Sequence, residues 1–368
     1  MKTRAWLQPE TKMTNQNKFS VGDWVEVRSK EEILQTLDSD GRIDGMPFMP
    51  EMFQFCGKKF QVFKSAHKTC DPDFRSRRIQ DAVHLQTRCD GSGHGGCQAG
   101  CLIFWKEVWL KPSNGNGASA AASITESHAA TSKGLNGGCS ESVVADRAKE
   151  TEPDGSISYV CQTTRVQFET PLAWWDIRQY VEDYLSGNVP LGRFLGGTLY
   201  SFYYNISQSG LGLGRPMRWL YNMTRPLWGG ITWPRSMGHI AVGQTTPSGD
   251  LNLQPGEMVR VKSHEEILKT VNTESKNRGL WWDAELVPYC GGTYRVLSRV
   301  TTILDEKSGK MQVMKNPCII LDAVVCQARF SACRMFCPRN TYAYWREIWL
   351  ERVGPPLAGS ESISSVNR

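Results

Sequence analysis

The chain has 368 residues, 40% of them hydrophobic and 22% charged, with 43 basic side chains against 37 acidic ones for a formal net charge of +6. That length suits two or three domains with packed cores, and so small a charge does not call for a polyanionic partner. No run of roughly 18 apolar residues calls for a spanning helix, and the N-terminal MKTRAWLQPETKMTNQNKF lacks the apolar stretch of a secretory signal.

The expected compartment is therefore the reducing cytoplasm. There, clustered cysteines serve more often as metal ligands or catalytic thiols than as disulfides. The sequons at Asn205 and Asn222 read as chance matches.

After an extension over residues 1–20, a long internal repeat begins. Val21-Gly-Asp-Trp-Val-Glu-Val-Arg-Ser-Lys-Glu-Glu-Ile-Leu-Gln-Thr36 aligns with Pro255-Gly-Glu-Met-Val-Arg-Val-Lys-Ser-His-Glu-Glu-Ile-Leu-Lys-Thr270. The match runs without a gap to Glu51-Met-Phe-Gln-Phe-Cys56-Gly57 opposite Glu285-Leu-Val-Pro-Tyr-Cys290-Gly291, and returns at Trp105-Lys-Glu-Val-Trp-Leu110 opposite Trp345-Arg-Glu-Ile-Trp-Leu350. Each copy opens with an alternating apolar/polar strand. A capping box follows, Ser29 with Glu32 and Ser263 with Glu266, and starts a helix whose apolar face is Ile33, Leu34 and Leu37, or Ile267, Leu268 and Val271. The opening strands, Gly-Asp-Trp-Val-Glu-Val and Gly-Glu-Met-Val-Arg-Val, resemble the first strand of small SH3-like barrels. The expected fold is thus α+β: duplicated small β-rich modules at 21–111 and 251–353, with short helices.

Between the copies, residues 112–160 are small, polar and poor in aromatics, which predicts a disordered linker with Cys139 as a bystander. A Trp/Arg-rich middle segment covers 161–250. Its stretch from Leu172 to Leu185 has helical spacing, with Pro171 before it and Gly187 after it. Further on, Arg215, Arg218, Arg225 and Arg235 interleave with Trp219, Tyr221, Trp228 and Trp233. That pattern suits base stacking or an anionic membrane surface, although a packed aromatic core with arginine at its rim is the preferred reading. Gly210-Leu-Gly212-Leu-Gly214 is read as a plain loop, and residues 354–368 as a disordered tail.

Of twelve cysteines, five lie in each module. The first copy has Cys56, Cys70, Cys89, Cys97 and Cys101, with His94 in the Gly-rich run between Cys89 and Cys97; the second has Cys290, Cys318, Cys326, Cys333 and Cys337. Cys56 pairs with Cys290 and Cys89 with Cys326, while Cys97 matches either Cys333 or Cys337. Four thiolates can surround zinc or hold an iron–sulfur cluster, and glycine lets a backbone fold closely round an ion. The expected first site is Cys70, Cys89, Cys97 and Cys101, with Cys56 or His94 as substitutes. The expected second site is Cys318, Cys326, Cys333 and Cys337, with Cys290 as substitute. Neither copy has the Cys-x2-Cys knuckle of a zinc ribbon. Cys89-Asp-Gly-Ser-Gly-His94 resembles the Cys-Asp-Gly-Ser-His motif of a two-iron cluster family, with a glycine inserted and the upstream Cys-x-Cys missing.

The function read from these residues is a tandem-module protein binding zinc or iron–sulfur in a structural or accessory role, with the middle segment as the surface for a protein partner. The alternatives are an iron–sulfur redox enzyme or electron carrier, and a nucleic-acid-binding module, the latter not favoured. The motifs of the common hydrolases and nucleotide-binding enzymes are absent, and nothing in the sequence names a reaction.

Overall fold

The computed structural model describes residues 19–114, 139–207, 212–228, 231–331 and 334–354. The expected N-terminal extension, much of the linker and the C-terminal tail lie outside these residues. The chain is mixed α/β, built from several antiparallel sheets and a few short helices.

The first copy begins with β1 (Trp24–Val27) and α1 (Lys30–Leu34). It continues through β2 (Lys59–Ser65), β3 (Lys68–Cys70), β4 (Ser76–Arg78), β5 (Ala82–Arg88), β6 (Leu102–Lys106) and β7 (Leu110–Pro112). Five of these strands form one sheet in the order β6-β5-β2-β1-β7. The strands alternate as the pleat requires: Val25 and Val27 are fully buried while Trp24 is 41% exposed. The Ser29–Glu32 box closes reciprocally, Glu32 N–H donating to Ser29 Oγ and Ser29 N–H to Glu32 Oε2. The core beneath the sheet gathers Phe48, Met52, Trp105 and Trp109, and Trp109 Nε1–H reaches back to Thr36 Oγ1 at the end of α1, 3.1 Å away.

Residues 139–160, expected as linker, instead fold onto this core. Helix α2 (Glu141–Arg147) is capped by Ser140 and buries Val144, and a hairpin follows of β8 (Lys149–Thr151) and β9 (Ile157–Tyr159). Cys139 is buried in the same core. The apolar Val143 and Val144 of this helix supply the contact that a purely polar linker lacks.

The middle segment carries α3 (Arg178–Leu185), α4 (Leu191–Ser207) and α5 (Gly214–Trp228). Helix α3 starts later than the spacing from Leu172 predicts, because Asp176 Oδ1 accepts from Arg178 N–H and sets the first turn there. It ends as predicted at Gly187, whose φ of +80° suits glycine.

The aligned region from residue 251 onward holds a second five-stranded sheet. It has β10 (Met258–Val261), α6 (His264–Leu268), β11 (Thr293–Leu304), β12 (Met311–Val325), β13 (Tyr342–Trp345) and β14 (Leu350–Arg352). Its sheet order, β13-β12-β11-β10-β14, corresponds strand for strand to the first. Register corresponds too: Val25 opposes Phe60 and Val259 opposes Tyr294, while Val27 opposes Leu110 and Val261 opposes Leu350. The Ser263–Glu266 box and the Trp349 to Thr270 hydrogen bond recur.

One difference decides how the copies meet. The β11–β12 hairpin is much longer than β2 and β5, and its far end lies on the first copy. Thr301 and Thr302 N–H both donate to Gln98 Oε1, and Gln98 N–H donates to Thr302 C=O. Leu304 joins the first core. The copies are also joined through buried charge. Lys68 Nζ donates to Asp183 Oδ2 of α3 at 2.5 Å and to Met335 C=O at 2.9 Å, with Lys68 and Asp183 both essentially inaccessible.

Candidate metal centre

The loop between β5 and β6 follows from its sequence. Asp90 Oδ1 accepts from Ser92 N–H and Oγ–H, and Gly91 C=O accepts from the N–H groups of His94 and Gly96. Gly91 sits at φ +74°, where a Cβ would lie 2.1 Å from Cys97 C=O, so only glycine fits. The tight turn brings Cys89 N–H to Cys101 C=O at 2.9 Å and folds His94 inward until it is 1% exposed.

His94 meets Glu51, which stands on the turn after Pro50. His94 Nδ1 and Glu51 Oε1 are 2.9 Å apart, and the Cys89 thiol donates to the same oxygen at 2.8 Å. The donor atoms of Glu51, Cys89 and His94 all lie within 4.8 Å of one another. Glu51 Oε2 is buried with no hydrogen-bond partner. On its other side His94 Nε2 faces Val160 C=O at 3.2 Å. Both ring nitrogens therefore face acceptors, yet a neutral imidazole carries one N–H. A charged ring would satisfy both contacts, and so would a cation between Nδ1, Cys89 and Glu51.

Three more thiols, Cys97, Cys101 and Cys161, line the same small cavity of about 30 Å³. Cys97 Sγ accepts from Leu304 N–H at 3.3 Å. Cys161 Sγ lies 3.1 Å from Thr163 Oγ1. Burial, then the Glu51 charge, pushes the Cys89 thiol far up, and burial pushes Cys101 up to about 12. For Glu51, burial raises the carboxyl, but the His94 hydrogen bond and charge together with the Cys89 thiol outweigh it and hold the group below its ordinary value.

The structure divides the remaining cysteines differently from the sequence expectation. Cys70, expected beside Cys89, is carried by β3 to the second copy, where it packs with Cys337, Ala328 and Cys326. Cys70 and Cys337 share a hydrogen bond that lowers the Cys70 thiol and raises Cys337; Arg339 and Arg334 add to the lowering against the cost of burial. Cys70, Cys101 and Cys326 open onto a cavity of about 400 Å³ between the copies. Cys318 stands apart among Val300 and Ile320, with Arg346 Nη1 at 3.3 Å. Cys56 and Cys290 pack singly against the two cores, and Cys333 lies outside the described residues. In the second copy the counterpart of Glu51, Glu285, is already occupied: the N–H groups of Arg329 and Phe330 donate to it at 2.9 and 2.5 Å.

Two participants escape a reading of the cysteine pattern. Glu51 carried a signal, an acidic residue repeated as Glu285 inside otherwise apolar segments. Cys161 carried none, standing outside both copies.

Of the interleaved arginines and aromatics of the middle segment, Tyr221, Trp233 and Arg235 join a packed ring cluster, whereas Trp219 and Arg215 are exposed. Tyr200, Tyr204 and Tyr221 surround Trp233, and Arg235 lies over the Tyr204 ring. No known protein family, curated protein or solved structure matches the chain.

Proposed function

We propose that the chain is a metal-binding protein in which Glu51, Cys89 and His94, with Cys97, Cys101 and Cys161 at hand, hold one ion in a structural or accessory role. The observation that carries this reading is the convergence on Glu51 Oε1 of a thiol and an imidazole nitrogen, beside a buried carboxylate oxygen with no partner. Unpartnered buried oxygen is costly, and a cation removes the cost. The thiol and imidazole favour zinc. Size points the same way: about 30 Å³ is room for little more than one ion or water, and a multi-iron cluster needs the loop to open.

The ion would tie the first copy to Cys161 of the middle segment and, through Cys97 and Leu304, to the long hairpin of the second copy. Each copy is proposed to be an SH3-like module. The strand order β6-β5-β2-β1-β7, with a short 3-10 turn at Glu107–Trp109 before the last strand, supports that reading.

Elemental analysis with an absorption spectrum on anaerobically purified protein tests the proposal. Colourless protein with near-stoichiometric zinc is expected. A brown protein with iron and sulfide would favour the redox alternative, and protein free of metal after purification without chelator would end the reading.

A further inference from the structure

Residues 184–249 contain five arginines and no lysine, aspartate or glutamate. Within this stretch α4 and α5 pack as a hairpin, joined by Tyr203 Oη–H donating to Met217 C=O at 2.6 Å. One side of the hairpin is committed to the protein: a Cβ on Gly197 would lie 2.6 Å from the Phe336 ring, and Tyr200 and Tyr204 pack on Trp233. The other side is apolar and open. On α4 it presents Leu191, Leu195, Leu199 and Phe202 at helical spacing, with Leu199 68% and Phe202 65% exposed. On α5 it presents Trp219, Met223 and Leu227, with Trp219 65% and Leu227 86% exposed. Arg215, one turn before Trp219, borders this face and is exposed, while Arg218 and Arg225 lie further round α5; none of the three pairs with a carboxylate among the described residues. No helix among the described residues is long and apolar enough to cross a membrane.

A soluble monomer rarely leaves so many large apolar side chains open on one element. An acid-free segment with unpaired arginines and exposed Trp, Phe and Leu has the composition that seats helices in a bilayer interface. Nucleic acid fits less well, because the open face is mostly apolar, with five Leu or Met side chains to two aromatic ones, rather than basic. We propose that the α4–α5 hairpin docks the protein on the surface of an anionic lipid bilayer. Leu195, Leu199, Phe202, Trp219 and Leu227 enter the interface, and Arg215 at the edge of the face meets the headgroups. This rests on the hairpin alone and is independent of the metal centre.

The test is co-sedimentation of the full chain with vesicles of phosphatidylcholine alone and of phosphatidylcholine with phosphatidylglycerol. The chain is expected to sediment with the phosphatidylglycerol vesicles at low salt and to be partly released as salt rises. Arg215→Gln is expected to weaken binding about fivefold. The double variant L195E/L199E, whose positions already face solvent and whose folding is checked by circular dichroism, is expected to weaken it about tenfold or more. Failure of the wild-type chain to sediment with phosphatidylglycerol vesicles at low salt overturns the proposal, as does binding that L195E/L199E leaves unchanged. Self-association of the wild-type chain in sedimentation velocity, lost in L195E/L199E and accompanied by no lipid binding, would show a second copy covering the face and overturns it equally.

Discussion

His94 Nδ1 stands 2.9 Å from Glu51 Oε1, and the Cys89 thiol reaches the same oxygen, while Glu51 Oε2 has no partner. In the proposed metal centre Glu51 would be either a direct ligand or the group that orients two others. In both cases Glu51→Gln removes the charge and keeps the shape. It is expected to lower metal affinity by about 10- to 100-fold, read by competition with a coloured zinc chelator. Unchanged affinity would remove Glu51 from the site.

Cys161 belongs to the same cavity although it lies outside both copies. Cys161→Ser is expected to weaken metal binding, whereas Cys56→Ser and Cys290→Ser, at single thiols packed against the cores, leave metal content as in the wild-type chain. Metal content of the three purified variants distinguishes these outcomes.

Both capping boxes could be read from the sequence because each is a local pattern with a local cause. Ser29 needs only Glu32, three residues on, to close its box. The partition of cysteines has no such local cause. Nothing near Cys70 in the chain says that it meets Cys337 rather than Cys89; that follows from how the long β11–β12 hairpin docks one copy on the other. Cys89, His94, Cys97 and Cys101 line one small cavity because one short Gly-rich loop holds them, and Gly91 has no alternative. From residue 139 the chain folds because the adjacent Val143 and Val144 of one helix outweigh the polar composition around them.

The buried pair Lys68–Asp183 makes a prediction about how the middle segment is held. Asp183→Leu removes both carboxylate oxygens and leaves the Lys68 ammonium in an inaccessible site with only Gln179 Oε1 and Met335 C=O to receive it. The expected cost is about 3–5 kcal/mol in urea unfolding. Replacing both partners, as K68M/D183L, is expected to cost less than the single change, because no uncompensated charge remains.

His84 supplies a pH dependence. Its ring is fully buried, Nδ1–H donates to Ile103 C=O at 2.9 Å, and Nε2 has no partner. Burial lowers its pKa to about 4, whereas the unfolded chain's histidine titrates near pH 6.5. The folded state therefore favours the neutral ring, and between about pH 6.5 and 4 the unfolded state binds more protons. The stability this residue contributes is fully present above pH 6.5 and is lost on acidification, by about 2 kcal/mol at pH 5. Urea midpoints at pH 7 and pH 5 should converge in His84→Gln relative to the wild-type chain. An equal acid loss in both would assign it to other groups.

X-ray absorption at the zinc edge of the purified wild-type chain tests the metal centre most directly. Sulfur neighbours at about 2.3 Å, with a nitrogen or oxygen near 2.0–2.1 Å, are the predicted shell. A shell of oxygen and nitrogen alone, with no sulfur, would mean that whatever zinc is present lies elsewhere and that Cys89 and its neighbours hold none.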